Sequence, residues 1–90
     1  MAWDVVYTKQ AENSLGRIAK SDKKMAARIM DRIDEIAKQD PYASTMRLSG
    51  VPLHRLRVGD YRAILDLQNG LMRVYVIMVD KRARSYRGLR

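Results

Sequence analysis

The chain predicts an α+β fold of order β-α-α-β-β-β, with two antiparallel helices packed on one face of a mostly antiparallel four-stranded sheet. Two observations lead there. The first half carries two apolar stripes at helical spacing, and the second half alternates apolar and polar side chains around the turn signals Gly59-Asp60 and Asn69-Gly70. No repeat, low-complexity segment or internal boundary interrupts the 90 residues, so residues 1–90 read as one domain with a basic tail from about 80 to 90.

Each element has its own signal. Trp3 to Tyr7 alternates well enough for a short strand. Thr8 is placed to cap a helix whose stripe is Ala11, Leu15, Ile18 and Ala19. After a three-residue break, Ser21-Asp22 caps a second helix with the stripe Met25, Ile29, Ile33, Ile36 and Ala37, and Asp40-Pro41 stops it. Residues Pro41 to Pro52 read as a loop holding Tyr42, Met46 and Arg47.

The hairpins fix a register. A two-residue Gly59-Asp60 turn sets Val58 opposite Tyr61 and Arg57 opposite Arg62; an Asn69-Gly70 turn sets Asp66 opposite Arg73, Ile64 opposite Tyr75 and Arg62 opposite Ile77. One face then reads Leu56, Val58, Ala63, Leu65, Leu67, Met72, Val74, Val76 and Met78, which is a core. The other carries Arg55, Arg57, Arg62, Asp66, Arg73 and Tyr75. Like charges facing across a ladder destabilise it, so Arg57 against Arg62 is a cost that a bound polyanion would remove.

Composition points the same way. Lys and Arg number 18 against 10 Asp and Glu, a formal net charge of +8, which favours nucleic acid or an acidic protein as partner. There is no cysteine, excluding disulfides and thiolate metal sites, and a single histidine makes a zinc centre unsupported; no metal and no cofactor are expected. No apolar run approaches a membrane span and no signal-peptide pattern opens the chain, so a cytoplasmic location is expected. The exposed sides of the helices carry Lys9, Arg17, Lys20, Lys23, Lys24, Arg28 and Arg32 interleaved with Glu12, Asp22, Asp31, Asp34 and Glu35, and read as solvated surface.

The tail adds Lys81, Arg82, Arg84, Arg87 and Arg90, with Tyr86 as a base-stacking ring among cations. Strict alternation places Lys81 on the arginine face and Arg82 on the other. Arg82 joins the site only if the strand ends or bulges near Asp80. An arginine pKa above about 12 disqualifies it as a base at neutral pH. Lys81, in a dense positive field, is the better proton acceptor. His54 falls on the core side and reads as structural.

At Arg55-Leu56-Arg57-Val58-Gly59-Asp60-Tyr61-Arg62 and Val79-Asp80-Lys81-Arg82-Ala83-Arg84-Ser85-Tyr86, the chain resembles the RelE/ParE superfamily of toxin–antitoxin toxins, from Val5 to about Arg87. The resemblance implies a RelE-like, microbial-RNase-like fold. In its RelE branch the toxin enters the ribosomal A site and cleaves mRNA without metal, the nucleotide's own 2′-hydroxyl attacking the adjacent phosphate. By position, Arg55 and Arg57 match a basic pair on the scissile phosphate, Arg62 matches the transition-state arginine, Arg82 the arginine protonating the leaving 5′-oxygen, and Tyr86 the stacking tyrosine. Arg47, Arg73, Arg84, Arg87 and Arg90 are then expected to contact RNA or the ribosome. The implied partners are a RelB-like cognate antitoxin, the ribosome and mRNA, with no membrane and no small-molecule cofactor. Lys81 stands where many relatives have histidine. The alternatives are a ParE-like, non-catalytic inhibitor of DNA gyrase and an inactive RNA-binding relative.

Overall fold

The computed structural model describes residues 2–81. The elements are β1 (Asp4–Tyr7), α1 (Lys9–Ser21), α2 (Lys23–Lys38), β2 (Met46–Arg47), β3 (His54–Val58), β4 (Tyr61–Gln68) and β5 (Arg73–Lys81). They build one five-stranded sheet in the order β1-β5-β4-β3-β2, parallel only between β1 and β5. The strand beyond the four expected is β2, a two-residue piece of the Pro41–Pro52 segment that pairs with His54 and Arg55.

Capping sets the helix bounds. Thr8 Oγ1 accepts from the Ala11 N–H at 3.2 Å and donates to the Ile77 carbonyl at 2.7 Å, so one hydroxyl starts α1 and ties it to β5. A single residue, not three, separates the helices. The Asp22 N–H donates to the Ile18 carbonyl at 2.6 Å, closing α1, while its Oδ1 accepts from the Met25 N–H at 3.1 Å and opens α2.

The two helices cover one sheet face. Ala11, Leu15 and Ile18 of α1 and Ala26, Ile29, Ile33, Ile36 and Ala37 of α2 pack on Leu56, Val58, Ala63, Leu65, Leu67, Val74, Val76 and Val79. Ile29, Ile33, Ile36, Leu65, Val74 and Val76 are fully buried, each contributing about 1.5–3 kcal/mol of transfer free energy. An aromatic row closes one end of this core. Trp3 meets Tyr42 edge-on with centroids 5.8 Å apart, and Tyr42 meets His54 likewise at 5.4 Å.

The β3–β4 hairpin has the expected register, Val58 opposite Tyr61 and Arg57 opposite Arg62. The β4–β5 connection does not. Asn69-Gly70 belongs to a 3₁₀ turn, Asn69–Leu71, followed by Met72 in the left-handed region (φ 52°), and Gln68 pairs with Arg73. This loop is two residues longer than a tight hairpin, so it shifts partners without changing faces: Asp66 opposes Tyr75 instead of Arg73. Between the pairs Leu65–Val76 and Ile64–Met78 the ladder bulges, leaving Ile77 unpaired. The bulge does change faces. Val79 enters the core, Met78 leaves it for the face of Ile64, and Arg62 opposes Asp80, not Ile77. The Ile77 carbonyl is the one held by Thr8, where β1 leaves the sheet.

Candidate functional site

On the face turned away from the helices, the β3–β4 hairpin brings Arg55, Arg57 and Arg62 together. Gly59 makes the turn possible. Its φ is +59°, and a Cβ there would lie 2.9 Å from the Met25 terminal methyl and 3.6 Å from an Arg28 guanidinium nitrogen. The turn is thereby seated on α2. Arg57, exposed at the sheet rim, stands directly across from Arg62. Arg55 is half-buried and donates to the Met46 sulfur at 3.2 Å.

Arg62 is the unusual member, with only 4 % of its surface exposed. Its Nε has no hydrogen-bond partner among the described residues. Asp80 opposes it across the ladder, yet the Asp80 carboxylate accepts from the Lys81 N–H at 2.8 Å, and the ion pair formed among the described residues is Arg32–Glu35. Burial, then the neighbouring Arg55, pull the Arg62 pKa below its usual value, with Asp80 opposing. The group stays cationic at neutral pH nonetheless. What results is a desolvated positive charge with an unused donor, beside two further guanidinium groups. Its field toward an entering anion is stronger than that of a solvated arginine.

The other sequence-derived candidates divide. Lys81 does not share this face. The bulge at Ile77 reverses the alternation, so Lys81 pairs with Tyr61 on the helix side, in a notch with Arg17, Ser14 and Ser21. Arg47 opposes His54 on that same side of the sheet and, after burial, is the main cause holding the His54 pKa down. Arg73 sits seven residues along β5 from Asp80, roughly 23 Å at ~3.3 Å per residue, and donates to the Tyr75 hydroxyl at 3.1 Å. Asp66, expected to pair with Arg73, instead accepts from Gln68 Nε2 at 2.9 Å. Arg82, Arg84, Tyr86, Arg87 and Arg90 lie outside the described residues.

Sequence reasoning left α2 as solvated surface, yet its cations line a groove of about 520 Å³ whose other wall is Arg57, Val58 and Gly59. Lys24, Arg28 and Arg32 follow one another at i, i+4 spacing, a signal present in the sequence. Among the described residues no group of three His, Cys, Asp or Glu side chains is placed to hold a metal ion, and no helix is long and apolar enough to cross a membrane.

Comparison with known proteins gives this arrangement a family. A model of the ParE toxin of type II toxin–antitoxin systems matches residues 5–86. No curated protein matches the chain significantly. Among solved structures, the RelBE2 toxin–antitoxin complex of Mycobacterium tuberculosis is similar with a TM-score of 0.77 at 18% identity, over 91% of this chain and 100% of that one. A free-state RelE mutant of E. coli gives 0.76 at 19% identity over 96% and 90%, and the chromosomal ParDE system of P. aeruginosa 0.71 at 15% over 89% and 96%. Identities this low speak for the fold alone, but the family model spans nearly the whole chain. The chain therefore belongs to the ParE toxin family of type II toxin–antitoxin systems, within the RelE/ParE superfamily.

Proposed function

We infer that the chain is a toxin that acts as a ribosome-dependent endoribonuclease, cutting mRNA in the ribosomal A site in the cytoplasm and restrained by a cognate antitoxin. The observation that carries this reading is Arg62, buried, unpaired at Nε among the described residues and flanked by Arg57 and Arg55. A buried Nε–H without a partner among the described residues is a standing cost to the fold, and a phosphate between the three arginines offsets it.

The chemistry is the one that the superfamily resemblance implies. The 2′-oxygen attacks the adjacent phosphorus, the P–O5′ bond breaks, and the products are a 2′,3′-cyclic phosphate and a 5′-hydroxyl end. Arg55, Arg57 and Arg62 neutralise the extra charge of the pentavalent phosphorane without needing to ionise. Proton transfer needs another group. With Lys81 on the opposite face, Asp80 is the titratable side chain in register with Arg62 and accepts the 2′-hydroxyl proton. Arg82 and Tyr86 keep the roles that the superfamily resemblance implies, protonating the leaving oxygen and stacking on the base. The solved relatives include toxins bound to antitoxins, which supports an antitoxin partner here; an acidic segment that orders on binding suits a +8 surface.

A second reading is favoured by one observation: the matching family model is that of ParE toxins, the branch for which the superfamily resemblance implies non-catalytic inhibition of DNA gyrase. Primer extension on mRNA from cells expressing the chain, alongside a gyrase supercoiling assay, separates the two. Codon-phased cuts within translated regions support the nuclease. Intact mRNA with blocked supercoiling supports the inhibitor.

A further inference from the structure

We propose that the groove between α2 and the β3–β4 turn is a second phosphate-binding subsite, which holds a nucleic-acid backbone continuing from the arginine face around the rim of the sheet. It rests on the reading that the toxin acts on a nucleic acid, but not on which reaction it performs.

Three features meet in this groove. Lys24, Arg28 and Arg32 rise along one side of α2, where like charges at i, i+4 spacing repel and destabilise the helix. Arg32 is compensated by its ion pair with Glu35. Lys24 and Arg28 have no ion-pair partner among the described residues, and Asp31 is the remaining acid along the wall. Continuity comes from Arg57, which lines this groove and also stands opposite Arg62 on the sheet face. Arg28 reaches the turn itself, its guanidinium nitrogen 3.6 Å from the position a Gly59 Cβ would take. Arg57 therefore belongs both to the arginine face with Arg62 and to the groove with Arg28 and Lys24.

The lining argues for phosphates over a protein partner. A protein anchor needs a pocket that takes an aromatic or large aliphatic side chain. Here the apolar wall is only Ala27 and Val58, whereas a polynucleotide backbone needs only cations in series. Among the described residues β2 pairs only with His54 and Arg55, so Leu56 to Val58 form an unpaired sheet edge at the rim.

The test uses the full chain and a fluorescein-labelled RNA stem-loop, with affinity measured by anisotropy across a salt series. The double variant Lys24→Gln/Arg28→Gln changes two exposed side chains and should flatten the log–log salt slope by about 1.4–1.8 units, at roughly 0.7–0.9 per lost contact. The exchange Lys24→Arg/Arg28→Lys should keep the parent slope. A double variant with the parent's slope, or a parent whose RNA binding is absent or insensitive to salt, overturns the subsite. An unchanged RNA slope with weakened binding of a polyglutamate peptide overturns it too, and assigns the groove to an acidic protein. Failure of the nuclease reading looks different. A parent that cuts no mRNA while its double variant still loses salt slope leaves the subsite standing and removes only the reaction.

Discussion

Replacing Arg62 by Met should make the protein more stable and less toxic at once. The side chain is 4 % exposed, its Nε is unpartnered among the described residues, and Arg57 faces it across the ladder. Methionine keeps an unbranched chain of similar reach without the charge. Exchanging poorly compensated buried charge for apolar packing is often stabilising by 1–4 kcal/mol, and a gain of about 1 kcal/mol is expected here. In a domain of this size that raises Tm by roughly 4–8 °C. Losing one well-placed donor to a developing oxyanion should lower the single-turnover rate by about 10²–10³. Calorimetry at pH 7 and cleavage of ribosome-bound mRNA under single-turnover conditions read the two effects separately. Arg62→Lys, which keeps the charge but not the planar fork, should fall between. A Met variant that melts below the parent would mean that Arg62 is well satisfied in the fold. One that cleaves at the parental rate would remove it from the reaction centre.

Three further outcomes follow from the geometry. Asp80→Asn should lower the cleavage rate by about 10²-fold while Lys81→Gln leaves it within about twofold, the range expected for losing a positioned base; the reverse order would return the proton to Lys81. Burial first, then Arg47, hold the His54 pKa below its usual 6.5, so protonation favours the unfolded chain. Stability from this group is complete above about pH 6.5 and is lost as pH falls through the lower folded value. Urea midpoints between pH 8 and pH 5 should therefore drop further for the parent than for His54→Gln, and parallel curves would contradict the assignment. Gly59→Ala should cost about 1–2 kcal/mol in urea denaturation, because the Met25 methyl can move aside but a φ of +59° cannot relax, and Gly59→Asn should cost less. Equal stability of the Ala and Gly forms would show that the turn adapts.

The helices were readable because Thr8 and Asp22 announce their starts and the stripes from Ala11 to Ala37 are regular. The Gly59-Asp60 turn fixed the Arg57–Arg62 pair for an equally local reason. What failed was non-local. Asn69-Gly70 has strong tight-turn propensity, yet the chain closes one 3₁₀ turn there and ends it at Met72 in the left-handed region, a conformation that residue type seldom announces. The bulge at Ile77 answers to Thr8, 69 residues earlier, and no pattern within β5 reveals it. The position of Lys81 was lost with it. Asp66 followed the shifted loop to Tyr75, so its expected partnership with Arg73 went too.

That single unpaired residue makes the chemistry of β5 a matter of counting. Everything C-terminal to Ile77 takes its side from the bulge: Asp80 with the arginines, Lys81 with the helices. Closing the ladder over Ile77 without the bulge would change no side chain, yet it would set Ile77 opposite Ile64 and Val79 opposite Arg62, turning Asp80 to the helices and Lys81 to the arginine face. Loss of the bulge would in this way pass the chain between two differently charged surfaces in one step. Thr8 acts as the lock on that step, because the hydroxyl that starts α1 also holds the carbonyl of the extra residue, and a chain without the bulge would have to find α1 another anchor.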